Sequence, residues 1–129
     1  MNHNQIRLEA AREYNDRIKK EMGNSCIEVY VFGSVAKDRA KKSSDLDLLL
    51  VLKRPTQEER FLWNNNEESA KRGYVYNFAK NSHHIHLIKR DLENKYKFPI
   101  SVHFRYEDSD DIVPLPIKTK DLAYSLIKL

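Results

Sequence analysis

The sequence predicts a small α/β domain, or α+β if the strand order makes its sheet mixed. Three observations carry this. From Asn4 to Glu21, Ala11, Tyr14, Ile18 and Met22 recur at spacings of three and four, the period of an amphipathic helix. Two runs rich in β-branched, aromatic and aliphatic residues follow, CIEVYVF from Cys26 and DLDLLLVL from Asp45. Later, Pro99 to Tyr106 alternates, with Ile100, Val102 and Phe104 on one face and Ser101, His103 and Arg105 on the other.

The elements are read in chain order. Gly23 and Asn24 stop the first helix. The strand Cys26 to Phe32 is broken by Gly33 and Ser34, and a short basic helix or loop, VAKDRAKK, leads to the second strand. The far half of that strand is apolar on both faces, which predicts a central position in the sheet. Thr56 is read as an N-cap with Glu59 three residues on, opening a helix over about Gln57 to Lys80. His84 to Ile88 reads as either further helix or a short strand. An acidic turn, EDSDD, follows the third strand. The last segment, from Thr119, reads as a helix with Leu122, Ala123, Leu126 and Ile127 on one face.

Length and composition bound the function. A chain of 129 residues is expected to form one domain over 1–129. With 40% hydrophobic and 33% charged residues it is expected to be globular and soluble. The net charge of +4 suits a polyanion such as a nucleotide, but nucleic acid is not expected as the main partner. The single cysteine, Cys26, supports neither a disulfide framework nor a cysteine zinc site. The polar N-terminus and the shortness of the longest apolar run, Leu48 to Leu52, argue against a signal or membrane segment. A cytoplasmic location is therefore expected.

Chemistry concentrates between Val29 and Leu52, VYVFGSVAKDRAKKSSDLDLLLVL. Gly33 lets backbone approach a phosphate closely, because it has no Cβ. Ser34 adds a hydroxyl. If Val35 starts a helix, the first-turn amides are free to face a triphosphate. Asp45 and Asp47 stand two apart on a strand, so both carboxylates project from one face and can share hard divalent cations. Lys37, Arg39, Lys41 and Lys42 offer charge to a triphosphate.

This segment resembles the DNA polymerase β-like nucleotidyltransferase superfamily, its minimal members in particular. Their pattern is a hydrophobic strand, Gly-Ser, ten residues, then Asp-x-Asp in another hydrophobic strand. Gly33, Ser34, Asp45 and Asp47 match it; Ala36 and Ser44 match common choices, and Asp38 stands where the family often has glycine. The resemblance implies binding of an NTP, ATP foremost, with Mg2+ or Mn2+, and transfer of a nucleoside monophosphate to an acceptor hydroxyl. It implies metal ligation by Asp45 and Asp47, and nucleotide contacts from Gly33, Ser34, Lys37 and Ser44. Some relatives are antitoxins that modify a small helical HEPN-type toxin, which makes such a protein an expected partner.

The resemblance also implies a third acid on a later strand. The matching position holds Ser101, with His103 next on the same face. Three readings stay open. Glu107, Asp108 or Glu28 supplies the acid; His103 acts as base; or the site binds nucleotide and transfers poorly or not at all. Elsewhere, His83, His84 and His86 are read as a polar helix end, where histidine complements the dipole, rather than a metal site. Trp63, Tyr74, Tyr76 and Phe78 are read as packing residues rather than a base-stacking platform.

Overall fold

The computed structural model describes residues 2–54, 83–112, 117–122 and 126–129. The expected N-cap at Thr56, the helix over Gln57 to Lys80 and the aromatic residues from Trp63 to Phe78 lie outside the described residues.

Helix α1 spans His3–Met22. Asn2 caps it: the Gln5 amide donates to the Asn2 side chain at 2.8 Å, and Gln5 Oε1 accepts from the Asn2 amide at 3.1 Å. Gly23, at φ 54°, ends it. The predicted stripe Ala11, Tyr14, Ile18 and Met22 is buried.

Strands β1 (Cys26–Phe32), β2 (Leu46–Leu52), β3 (Ile100–Tyr106) and β6 (Ile127–Lys128) form one sheet in the order β3-β2-β1-β6. β1 and β2 are antiparallel, and β2 and β3 are parallel, so the sheet is mixed. β2 is interior, as its two-sided apolar pattern predicts. Between Gly33 and Ala36 lies a one-turn helix, α2. A longer helix, α3, covers 83–96. β4 (Asp111–Ile112) pairs antiparallel with β5 (Ile117–Lys118) as a separate ribbon.

One sheet face carries the main core. Val29, Val31, Leu46, Leu48, Leu50 and Leu52 pack there against α1 and α3, where Tyr14, Ile18, Ile88 and Leu92 are buried. The Tyr14 hydroxyl donates to the Ile85 carbonyl at 3.2 Å, tying the two helices. On the opposite face, Phe32 and Leu49 meet Ile112, flanked by Tyr30, Leu122 and Leu126. Each buried leucine of β2 is worth roughly 1.5–3 kcal/mol. A slip of one residue would turn Asp47 into the helix-side core, so this burial holds Asp47 on the other face.

Two expectations are corrected and two open readings are decided. Among the described residues, the segment from Thr119 holds no α-helix. Thr119–Leu122 is a 3-10 turn, and Ile127–Lys128 joins the sheet, with Val31 opposite Ile127 and Tyr30 opposite Lys128. The open edge of β1 offers main-chain partners there, including an Leu129 amide bond to the Val29 carbonyl at 2.9 Å, and these outweigh a weak helical period. Of VAKDRAKK, only Val35 and Ala36 are helical in α2. His84 to Ile88 lies in helix, not strand, and α3 runs ten residues past His86, so the three histidines do not cap a helix C-terminus.

Candidate functional site

Gly33 makes the turn out of β1 at φ 74°. The buried Val35 anchors α2, and amides of Lys37, Asp38 and Arg39 close the turn on the carbonyls of Gly33, Val35 and Ser34 at 3.2, 3.1 and 2.8 Å. Asp38 adopts φ 56°, a left-handed conformation that aspartate tolerates better than most residues. That conformation explains why glycine suits this position. A second turn precedes β2: the Ser44 amide donates to the Lys41 carbonyl at 3.0 Å, and Ser44 Oγ accepts from the Lys41 amide at 2.8 Å.

Asp45 comes out of that turn exposed, and Asp47 follows as the second residue of β2, half-buried. Asp47 lies between Phe32 on β1 and Ser101 on β3. A Cβ added to Gly33 would collide with Asp47 Oδ2 and meet its Cγ at 3.3 Å. The absent side chain of Gly33 is therefore what lets the Asp47 carboxylate sit against the turn. Burial, then the neighbouring Asp45 charge, raise the Asp47 pKa above the ordinary aspartate value. Among the described residues, no donor or cation lies within hydrogen-bond or ion-pair distance of either carboxylate. Two neighbouring carboxylates without a protein partner among the described residues suit a hard divalent cation. They stand as a pair: among the described residues, no group of three or more His, Cys, Asp or Glu side chains is arranged to hold a metal ion.

A family model described as a nucleotidyltransferase domain matches residues 11–120. The chain belongs to the nucleotidyltransferase domain family. The match takes in β1, the Gly33–Ser34 turn, both aspartates and β3. No curated protein and no solved structure matches the chain. Nucleotidyltransferase domains transfer a nucleoside monophosphate and generally use divalent metal ions.

The nucleotidyltransferase sheet places the candidates for a third acid. Ser101 is directly beside Asp47 in the parallel register, on the same face. His103 is two residues farther, opposite Leu49, with its ring 5.4 Å from Phe32. Its Nδ1 is buried without a hydrogen-bond partner, and burial lowers its pKa. The other three candidates lie toward the far end of the sheet. Glu28 is four residues down β1 from Phe32, roughly 13 Å at strand rise, and pairs with Lys128 and the Tyr30 hydroxyl. Asp108 binds Arg54 at 2.8 Å, and the Glu107 amide bonds to the Leu52 carbonyl. None of these three can reach Asp47.

Lys37, Arg39, Lys41 and Lys42 are exposed around the loop, and none pairs with a carboxylate among the described residues. Ser44 is engaged within its turn. Two residues that sequence reasoning missed hold this loop from α1. Asn4 Oδ1 accepts from the Ala40 amide at 3.3 Å. Arg7 donates to the Ser44 carbonyl at 3.0 Å and the Lys42 carbonyl at 3.1 Å. A signal for them exists: Asn4 and Arg7 extend the spacing of Ala11, Tyr14 and Ile18, so two polar residues fall on the buried stripe.

Proposed function

We propose that Asp45 and Asp47 hold the divalent cation, Mg2+ or Mn2+, of a bound NTP, with ATP the preferred nucleotide. The Gly33–Ser34 turn faces the phosphates, and Lys37 with its basic neighbours balances their charge. The carrying observation is the seat of the Asp47 carboxylate over Gly33, beside Asp45, with no donor to either among the described residues. The cation supplies charge neutralisation at the triphosphate. The chain's residues supply position: in the family reaction an acceptor hydroxyl forms a bond to the α-phosphorus as the bond to the β-phosphate breaks and pyrophosphate leaves.

Ser101 beside Asp47 favours slow transfer. A serine neither adds a charge to the cation's cage nor takes the proton of the attacking hydroxyl at neutral pH. That proton then passes to water, or to His103 on the same face, whose burial lowers its pKa and favours the neutral ring. A second reading, nucleotide binding without turnover, rests on the same serine.

From the family resemblance, we further propose a hydroxyl on a small helical HEPN-type protein as the acceptor. Incubation of the chain and such a partner with labelled ATP and Mg2+ tests both statements. Label on the partner, lost with Asp45→Asn, supports transfer. Binding of ATP with no label on any acceptor leaves the binding module; no binding by a folded sample removes the nucleotide reading.

A further inference from the structure

We propose that Arg7 is the positioning residue for Asp45, resting on the cation-site reading above. Its guanidinium is nearly inaccessible, with the residue 2% exposed. A buried charge normally demands an opposite charge, because losing its hydration costs several kcal/mol. Among the described residues, Arg7 forms no ion pair. Its partners are instead three main-chain carbonyls, those of His3 at 3.1 Å, Lys42 at 3.1 Å and Ser44 at 3.0 Å, and the face of Phe98, 4.3 Å from the ring centroid. The Asp45 charge acts on it electrostatically.

The arrangement has a direction. The His3 bond lies within α1 and anchors the side chain to its own helix. The other two reach into the loop that ends at Asp45, and the Ser44 carbonyl belongs to the peptide unit joining Ser44 to Asp45. Asp45 precedes β2: on its far side the Leu46 amide donates to the Pro99 carbonyl at 2.9 Å, and on its near side Arg7 holds the Ser44 carbonyl. The rigid fork of a guanidinium satisfies two carbonyls two residues apart; a lysine ammonium lacks that geometry. Asn4, one turn earlier and 8% exposed, holds the Ala40 amide of the same loop. The helix thus sets the conformation of the loop that delivers Asp45 to the start of β2, two residues before Asp47, and it does so without touching cation or nucleotide.

Titration of Mn2+, followed by the electron paramagnetic resonance of the free ion, tests this in the whole chain. Arg7→Met keeps apolar volume against Phe98. It is expected to weaken Mn2+ binding at least about 10-fold, as loss of a ligand-orienting group does. Amide exchange at Ala40, Lys41 and Ser44 is expected to accelerate, and Arg7→Lys to recover part of both losses. A merely structural role lowers the melting temperature and leaves the Mn2+ affinity of the folded protein unchanged. Affinity within about twofold of the parent in folded Arg7→Met overturns the proposal. If Arg7→Met does not fold, Asn4→Ala must shift affinity and loop exchange in the same direction, and no shift overturns it equally. If the parent chain binds no Mn2+ with or without ATP, and Asp45→Asn matches it, the cation site itself has failed and the proposal falls with it.

Discussion

The Asp47 carboxylate fills the space over Gly33 that any side chain there would require. Gly33 also sits at φ 74°, where other residues are strained. Gly33→Ala therefore faces two penalties. The backbone strain costs about 1–2 kcal/mol. The collision is relieved most cheaply by rotating Asp47 away, because its carboxylate ends a short side chain. Mn2+ affinity is thus expected to fall at least about 10-fold, while the folded population at 25 °C changes little. Calorimetry on purified Gly33→Ala, with its melting curve, measures both.

Asp47 gives a pH-dependent stability. Its folded pKa is raised, chiefly by burial and then by Asp45, above the ordinary aspartate value. Folding therefore favours the protonated form. That contribution is fully present below the unfolded pKa and is lost as pH rises through the folded pKa. At neutral pH the ionised carboxylate costs stability, so Asp47→Asn is expected to melt higher than the parent in metal-free buffer. The difference is expected to vanish in acid below the ordinary aspartate range. Divalent cation reverses the order, because a site at 100 times its Kd stabilises the parent by about 2.7 kcal/mol. Melting curves across pH, with EDTA or Mn2+, check the sign.

Ser101 lies beside Asp47 on the neighbouring parallel strand. Ser101→Asp adds a third carboxylate at that position. Cation affinity is expected to rise, and any transfer rate to rise about 10²–10⁴-fold, the usual contribution of a positioned base. Like-charge repulsion is expected to lower the metal-free melting temperature. A labelled-ATP assay of the variant with its acceptor reads the rate. An unchanged rate with improved cation binding would show that a base at this strand position is not what limits transfer.

Asp38 occupies a left-handed conformation in the loop between α2 and β2. Asp38→Gly removes that strain but gains entropy in the unfolded chain, so the net gain is expected to be at most about 1 kcal/mol. Denaturant midpoints at constant slope measure it. A loss of stability would mean that the Asp38 side chain contributes a contact worth more than the strain.

The candidate site was legible because its residues and its fold share one stretch of sequence. Leu46, Leu48 and Leu50 announce a buried strand, and the same alternation puts Asp47 on the open face. Ile100, Val102 and Phe104 turn one face of β3 to the core, which puts Ser101 on the other face, and the parallel register sets it beside Asp47. What the sequence hid was long-range. Nothing local to Ile127 says that the edge of β1 awaits it, so a helical period there misled. Nor does Arg7 reveal from composition that its carbonyl partners lie at Lys42 and Ser44, 35 and 37 residues away. Its position on the apolar stripe of α1 was the visible clue.

The most direct test of the metal–nucleotide site is calorimetric titration of Mg2+–ATP into the parent chain, Asp45→Asn, Asp47→Asn and the double variant. Saturable binding by the parent is expected, weakened at least about 10-fold by each single substitution and abolished by both. Equal affinity in the parent and a folded double variant would contradict the site, as would the absence of any binding by the folded parent.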